Sequence, residues 1–72
     1  MSKDLFYNVT NNIAEITLAR KPSNAFSLVF LKNILNNLRK ASNDDDVKVV
    51  IIKSDIPNIF SAGLDLSLII GK

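Results

Sequence analysis

The stretch Ser61-Ala62-Gly63-Leu64-Asp65 is where this sequence could do chemistry. Small residues at 61–63 let a ligand come close to the backbone. A helix opening just after them would present amides with no partner inside the helix. Two such amides aimed at one oxygen stabilise an oxyanion or an enolate. The same residues also make a plain strand-to-helix turn with Gly63 at positive φ, and composition leaves both readings open.

The rest of the chemical inventory is thin. There is no His and no Cys, so the commonest general base, any disulfide and any thiolate ligand are missing. Glu15 is the only Glu. The acidic triplet Asp44-Asp45-Asp46 is most simply a solvated loop. No Gly and no distal Glu complete a calcium-loop pattern there, and no metal site is expected. Net charge is +2, with Arg20-Lys21 and Arg39-Lys40 as the densest basic pairs. A nucleic-acid footprint requires clustering on one face, so no nucleic-acid partner is expected.

The elements that must position the 61–65 stretch follow from a change of period along the chain. Leu5, Tyr7 and Val9 alternate with more polar neighbours, as a strand does. Asn11-Asn12 tolerates positive φ and suits a tight hairpin turn. A second, β-branched strand over residues 13–18 puts Ala14, Ile16 and Leu18 on one face and Glu15 and Thr17 on the other. Pro22 then removes a ladder donor. From Ser27, a good N-cap, Leu31, Ile34, Leu35, Leu38 and Ala41 fall at helical spacing and predict a helix over 27–42. Arg39 and Lys40 suit the negative end of its dipole.

Residues 47–53 form a nearly continuous apolar run, which predicts a strand covered on both faces and paired in parallel. Strand, helix and strand make a right-handed crossover. The 61–65 stretch then sits outside the carboxyl end of that strand, where open α/β sheets bind ligands. A second helix is expected to open near Leu64. No repeat or linker divides the chain.

Length adds a constraint. The 72 residues fall below the usual domain size of roughly 100–150, and so short a chain buries only about 60 % of its unfolded surface. Yet 47 % of the residues are apolar. A sheet covered on both faces needs layers that this length cannot supply, so more protein is expected around it. No apolar run reaches the roughly 20 residues of a membrane span. The N-terminus has the character of neither a signal peptide nor a presequence.

Phe60-Ser61-Ala62-Gly63-Leu64-Asp65-Leu66 resembles the F-x-A-G-x-D-[LI] signature of the crotonase (enoyl-CoA hydratase/isomerase) family. Upstream, Lys21-Pro22-Ser23-Asn24-Ala25-Phe26-Ser27 resembles the stretch that leads into that family's first helix. Val49-Val50-Ile51-Ile52-Lys53-Ser54 resembles the strand before the signature. Three motifs in order and in register span nearly the whole chain. The signature, with Leu64 after the glycine, looks most like the delta-isomerase branch.

The resemblance implies an α/β fold: the β-β-α-β-(α) opening of the crotonase (ClpP/crotonase-like) spiral, with residues 1–72 as a partial domain. It implies an enzyme that shifts the double bond of an enoyl-CoA in fatty-acid β-oxidation, with hydration of that bond or a non-catalytic truncated chain as alternatives. Leu64 would give its backbone amide to the thioester oxygen. Arg20, Lys21, Asn24, Ala25, Phe26, Ser61, Ala62, Gly63 and Leu64 would lie along the CoA moiety of an acyl-CoA substrate. A basic side chain at Arg20 or Lys21 could meet a phosphate there, or simply belong to a solvated turn. Asp65 would hold the loop structurally. The second oxyanion amide and the catalytic Glu of the family lie beyond residue 72, so the 72 residues alone should be inactive. No cofactor is implied apart from the coenzyme A of the substrate. Trimers or pairs of trimers are the family's assemblies. The mitochondrial matrix is the implied compartment, with peroxisome or cytoplasm as alternatives.

Overall fold

The structure, a computed structural model, describes residues 4–63. Strand β1 (Leu5–Thr10) and strand β2 (Ile13–Leu18) form a hairpin. Helix α1 (Leu28–Ser42) and strand β3 (Val49–Ser54) follow. The sheet order is β1-β2-β3. β1 pairs with β2 antiparallel, from Leu5 opposite Leu18 to Thr10 opposite Ile13. β2 pairs with β3 in parallel, from Ile13 opposite Val49 to Leu18 opposite Ser54. These are the elements, and the parallel pairing, that the change of period predicts. The second helix expected near Leu64 lies outside the described residues.

The hairpin turns as its two asparagines dictate. Asn11 and Asn12 have φ of 52° and 67°, the left-handed pair that a two-residue hairpin loop matched to strand twist requires. Asn12 does more than turn the chain. Its Nδ2 donates to the Asp46 carbonyl at 2.7 Å, and its own carbonyl accepts from the Lys48 amide at 2.8 Å. The acidic loop is thereby fastened to the hairpin tip. Within that loop the Asp46 amide donates to Asp44 Oδ1 at 2.9 Å, a local turn bond typical of Asp. The Val47 amide bonds back to the Asp44 carbonyl at 3.0 Å. That bond keeps Val47 in the turn, so β3 starts at Val49 rather than at Val47.

Alternation places Ala14, Ile16 and Leu18 beneath the helix, and all three are buried. The core is Leu5, Ile16, Leu18 and Phe30, with Tyr7, Phe26, Ile34 and Leu38 packed against it. Burying a side chain the size of Phe30 is worth about 1.5–3 kcal/mol. Ser27 caps the helix as expected: its Oγ accepts from the Phe30 amide at 3.1 Å. The buried stripe is rotated from the one the sequence suggests. Phe30, Ile34, Leu38 and Ala41 face the sheet, while Leu35 is 45 % exposed. Phe30 outweighs Leu31 and Leu35 because a ring one turn into the helix fills the gap above Ile16 and Leu18 and turns the stripe toward itself.

At the other end, Lys40 Nζ lies 4.7 Å from the centroid of the Tyr7 ring and ties the last turn to β1. Arg39 and Lys40 do occupy that last turn. β3 has no partner on its outer edge among the described residues, and Val49, Val50, Ile51 and Ile52 are 38–50 % exposed.

Candidate functional site

Because β2 and β3 run in parallel, their carboxyl ends lie side by side. The Asp55 amide extends the ladder by one bond, to the Leu18 carbonyl at 2.8 Å. Two loops leave this edge together: residues 19–27 toward α1, and residues 55–63 toward the signature. This is the part of an open α/β sheet where ligands bind.

One side chain holds the two loops together. Asn24 is fully buried, with 0 % of its surface exposed, at φ 53°. Asn tolerates that left-handed conformation better than most residues. Its Oδ1 accepts from the Arg20 amide at 2.7 Å, and its own amide donates to the Arg20 carbonyl at 2.7 Å. These two bonds close the first loop on itself. Its Nδ2 then reaches across to donate to Ser54 Oγ at 2.8 Å and to the Phe60 carbonyl at 2.9 Å. Ser54 Oγ in turn accepts from the Ile56 amide at 3.0 Å and lies 2.6 Å from the Ile59 carbonyl. The buried carboxamide is fully employed, as a group taken out of water must be.

The backbones join as well. The Ala62 amide donates to the Ser23 carbonyl at 2.9 Å, and the Phe26 amide donates to the Gly63 carbonyl at 2.6 Å. Ser61 Oγ donates to the Asn24 carbonyl at 2.9 Å and accepts from the Gly63 amide at 2.9 Å. Gly63 has φ 90°, in the region that favours glycine. A Cβ there would meet nothing within 4 Å, so backbone conformation, not space, is what favours Gly.

The sequence-predicted residues are therefore brought together, but in different settings. Arg20 is half-buried. Its guanidinium donates to the Ala25 carbonyl and lies 5.9 Å from the centroid of the Phe30 ring. Lys21 is exposed. The Lys21–Pro22 peptide is cis. Phe26 is half-buried, its ring 6.0 Å from that of Phe30. Ala25 and Ser61 are half-buried and Ala62 is exposed. Asn24, expected beside the CoA moiety, has no exposed surface. Leu64 and Asp65 lie outside the described residues. Ser54 and the Phe60 carbonyl are the members that sequence reasoning missed. Asn24 carried a signal for a left-handed turn, but nothing in its neighbours shows what its side chain reaches.

Comparison with known proteins agrees with this geometry. The model of the family described as enoyl-CoA hydratase/isomerase matches residues 8–72. The chain is 40 % identical over 60 residues to enoyl-CoA delta isomerase 1, mitochondrial, of Homo sapiens, covering 83 % of this chain and 20 % of that protein. In structure it is similar to human mitochondrial delta3-delta2-enoyl-CoA isomerase, with a TM-score of 0.90 and 33 % identity over 97 % of this chain and 28 % of that one. It is also similar to the enoyl-CoA hydratase of Mycobacterium tuberculosis H37Rv, with a TM-score of 0.87 and 32 % identity over 97 % of this chain and 32 % of that one. The chain thus spans about a fifth of the curated isomerase it matches. With the family model matching residues 8–72 and the fold matching solved members, this chain belongs to the enoyl-CoA hydratase/isomerase (crotonase) family.

Proposed function

We propose that this chain supplies the first portion of an acyl-CoA site in an enzyme that shifts the double bond of an enoyl-CoA in fatty-acid β-oxidation. The observation that carries this is how the signature loop uses its amides. Those of Ala62 and Gly63 are bonded within the chain, to the Ser23 carbonyl and to Ser61 Oγ. The family resemblance assigns the next amide along, that of Leu64, to the ligand. That amide serves as one of two donors to the thioester oxygen. A proton is removed beside the thioester, and the enolate that forms is held by those donors.

The exposed Lys21 and Ala62 face the CoA moiety, and Lys21 is the side chain suited to a CoA phosphate. Arg20, Ala25, Phe26, Ser61 and Gly63 shape that path, and Asp65 holds the loop. The second donor and the acid/base Glu come from protein beyond these 72 residues, so the chain by itself does not turn over enoyl-CoA. Such a subunit works in trimers or pairs of trimers. The mitochondrial matrix is the compartment that fits the mitochondrial isomerases it resembles. Hydration of the double bond is the second reading, and the similarity to the M. tuberculosis hydratase favours it, since the same donors serve both reactions.

The test is a spectrophotometric assay of a complete subunit carrying this segment, offered a β,γ-unsaturated and an α,β-unsaturated acyl-CoA in parallel. Migration of the β,γ bond supports the isomerase, and loss of the α,β absorbance the hydratase. Turnover of neither substrate by a folded subunit would sink both readings.

A further inference from the structure

We infer that Asn24 is the positioning residue of the signature loop: without touching the substrate, it fixes residues 60–63, the stretch that leads to the Leu64 amide. The inference rests on the proposed reading of that amide as a thioester donor. Three observations carry it. Asn24 is 0 % exposed, so no part of it can reach a ligand. Its Nδ2 bonds to Ser54 Oγ and the Phe60 carbonyl attach the first loop to both ends of the segment between β3 and the signature. Its carbonyl accepts from Ser61 Oγ, and the same hydroxyl accepts the Gly63 amide. A chain of bonds therefore runs from the Asn24 side chain and backbone to the residue before Leu64. Every bond in it spans either two residues or at least thirty, so none of them is a by-product of regular secondary structure.

The chemistry explains why Asn suits this position. Gly would keep φ 53° but lose all three side-chain partners. Asp would keep the acceptor for the Arg20 amide but lose the donor for Phe60. Ala would lose the partners and add strain at positive φ. A carboxamide supplies donor and acceptor at once. The helix face, the hairpin and the core do not depend on it: Asn24 is not among the hydrophobic cluster of Leu5, Ile16, Leu18 and Phe30. The expected consequence of its loss is a loop that wanders, not a fold that melts. A misplacement of about 1 Å at a reacting group can cost on the order of 10²-fold in rate.

Two measurements test this, on Asn24→Asp and Asn24→Gly, with Ser61→Ala as the variant that removes only the outer half of the chain of bonds. In a complete subunit carrying this segment, amide hydrogen exchange at Ala62 and Phe26 should speed up about tenfold, the equivalent of one lost hydrogen bond, while the Lys48 amide at the far end of the sheet keeps its protection. Equal loss at Lys48 and Ala62, or no change at either, would overturn the clamp. In a complete subunit carrying this segment, kcat should fall by about 10–100-fold with KM within about twofold, since binding contacts are untouched. A raised KM with kcat intact would mean that Asn24 serves substrate binding and would overturn the inference. If instead the clamp holds by exchange but Leu64→Pro and Leu64→Ala behave alike in the assay, the reading of the Leu64 amide fails, and the positioning role fails with it.

Discussion

Lys53 Nζ lies 3.0 Å from Glu15 Oε1, a diagonal pair on the sheet face turned away from α1. Ala14 and Ile16, the neighbours of Glu15, are buried on the other face. The only Glu of the chain is therefore engaged with a lysine on the face opposite the helix, while the clamping network around Asn24 lies on the helix side. Both side chains are more than a third exposed, at 51 % and 38 %, so water and salt weaken the pair. Exposed pairs are worth about 0–1 kcal/mol. Glu15→Gln should lower stability by less than about 1 kcal/mol, less still at high salt, and should leave catalysis by a complete subunit unchanged. Denaturation at two salt concentrations, with the enoyl-CoA assay alongside, checks it. A large loss of rate would make Glu15 a catalytic candidate.

The rotated helix stripe makes a ranking. Phe30 is 1 % exposed and Leu35 is 45 % exposed. Phe30→Ala should cost about 3–5 kcal/mol, enough to unfold so small a unit. Leu35→Ala should cost less than about 1 kcal/mol, as exposed substitutions usually do. Circular dichroism melts of both variants decide the order. Equal costs would favour the stripe read from sequence, which takes in Leu31 and Leu35 but not Phe30, over the one that includes Phe30.

What the sequence makes legible is local. Asn11-Asn12 announces the hairpin because two residues of αL tolerance in a row have few other uses. Ser27 announces the helix start because its hydroxyl answers an amide three residues away. The continuous apolar run of β3 announces parallel pairing because strands of parallel sheets are ordinarily covered on both faces, although here both faces are still 38–50 % exposed. The illegible part is made through space. Asn24 finds Ser54 and the Phe60 carbonyl at sequence separations of 30 and 36, and no periodicity encodes such a contact. Phe30 was missed for a related reason: spacing alone cannot say which of several overlapping stripes the sheet will accept. The role proposed for the Leu64 amide rests on family resemblance, since composition alone fits a plain turn.

The outer edge of β3 predicts how the isolated chain behaves. Val49 and Ile51 lie on one face and Val50 and Ile52 on the other, all 38–50 % exposed, beside a row of backbone groups with no strand partner among the described residues. Such an edge pairs with other edges unless a charge or a proline blocks it. The 72-residue chain should form oligomers, or dissolve poorly, at micromolar concentration. Ile51→Lys should shift it toward monomer. Size-exclusion chromatography with light scattering reads this directly, and a wild-type monomer with a sharp, cooperative thermal transition would contradict it.

The chemistry comes down to one amide. A side chain at position 64 matters little to a backbone donor, whereas proline removes the donor itself. In a complete subunit, Leu64→Pro should therefore lose on the order of 10²–10³ in kcat relative to Leu64→Ala, the usual cost of one oxyanion donor. On the proposed reading the 72-residue chain should show no turnover, because the second donor and the acid/base Glu would come from outside these residues. That Glu is worth about 10²–10⁴ by itself, and groups acting as a unit do not simply multiply. Proline could also disturb the loop, so the comparison needs a folded protein by circular dichroism and an unchanged exchange rate at Ala62. With those two conditions met, a Pro variant as active as the Ala variant would show that the Leu64 amide donates to nothing in the transition state.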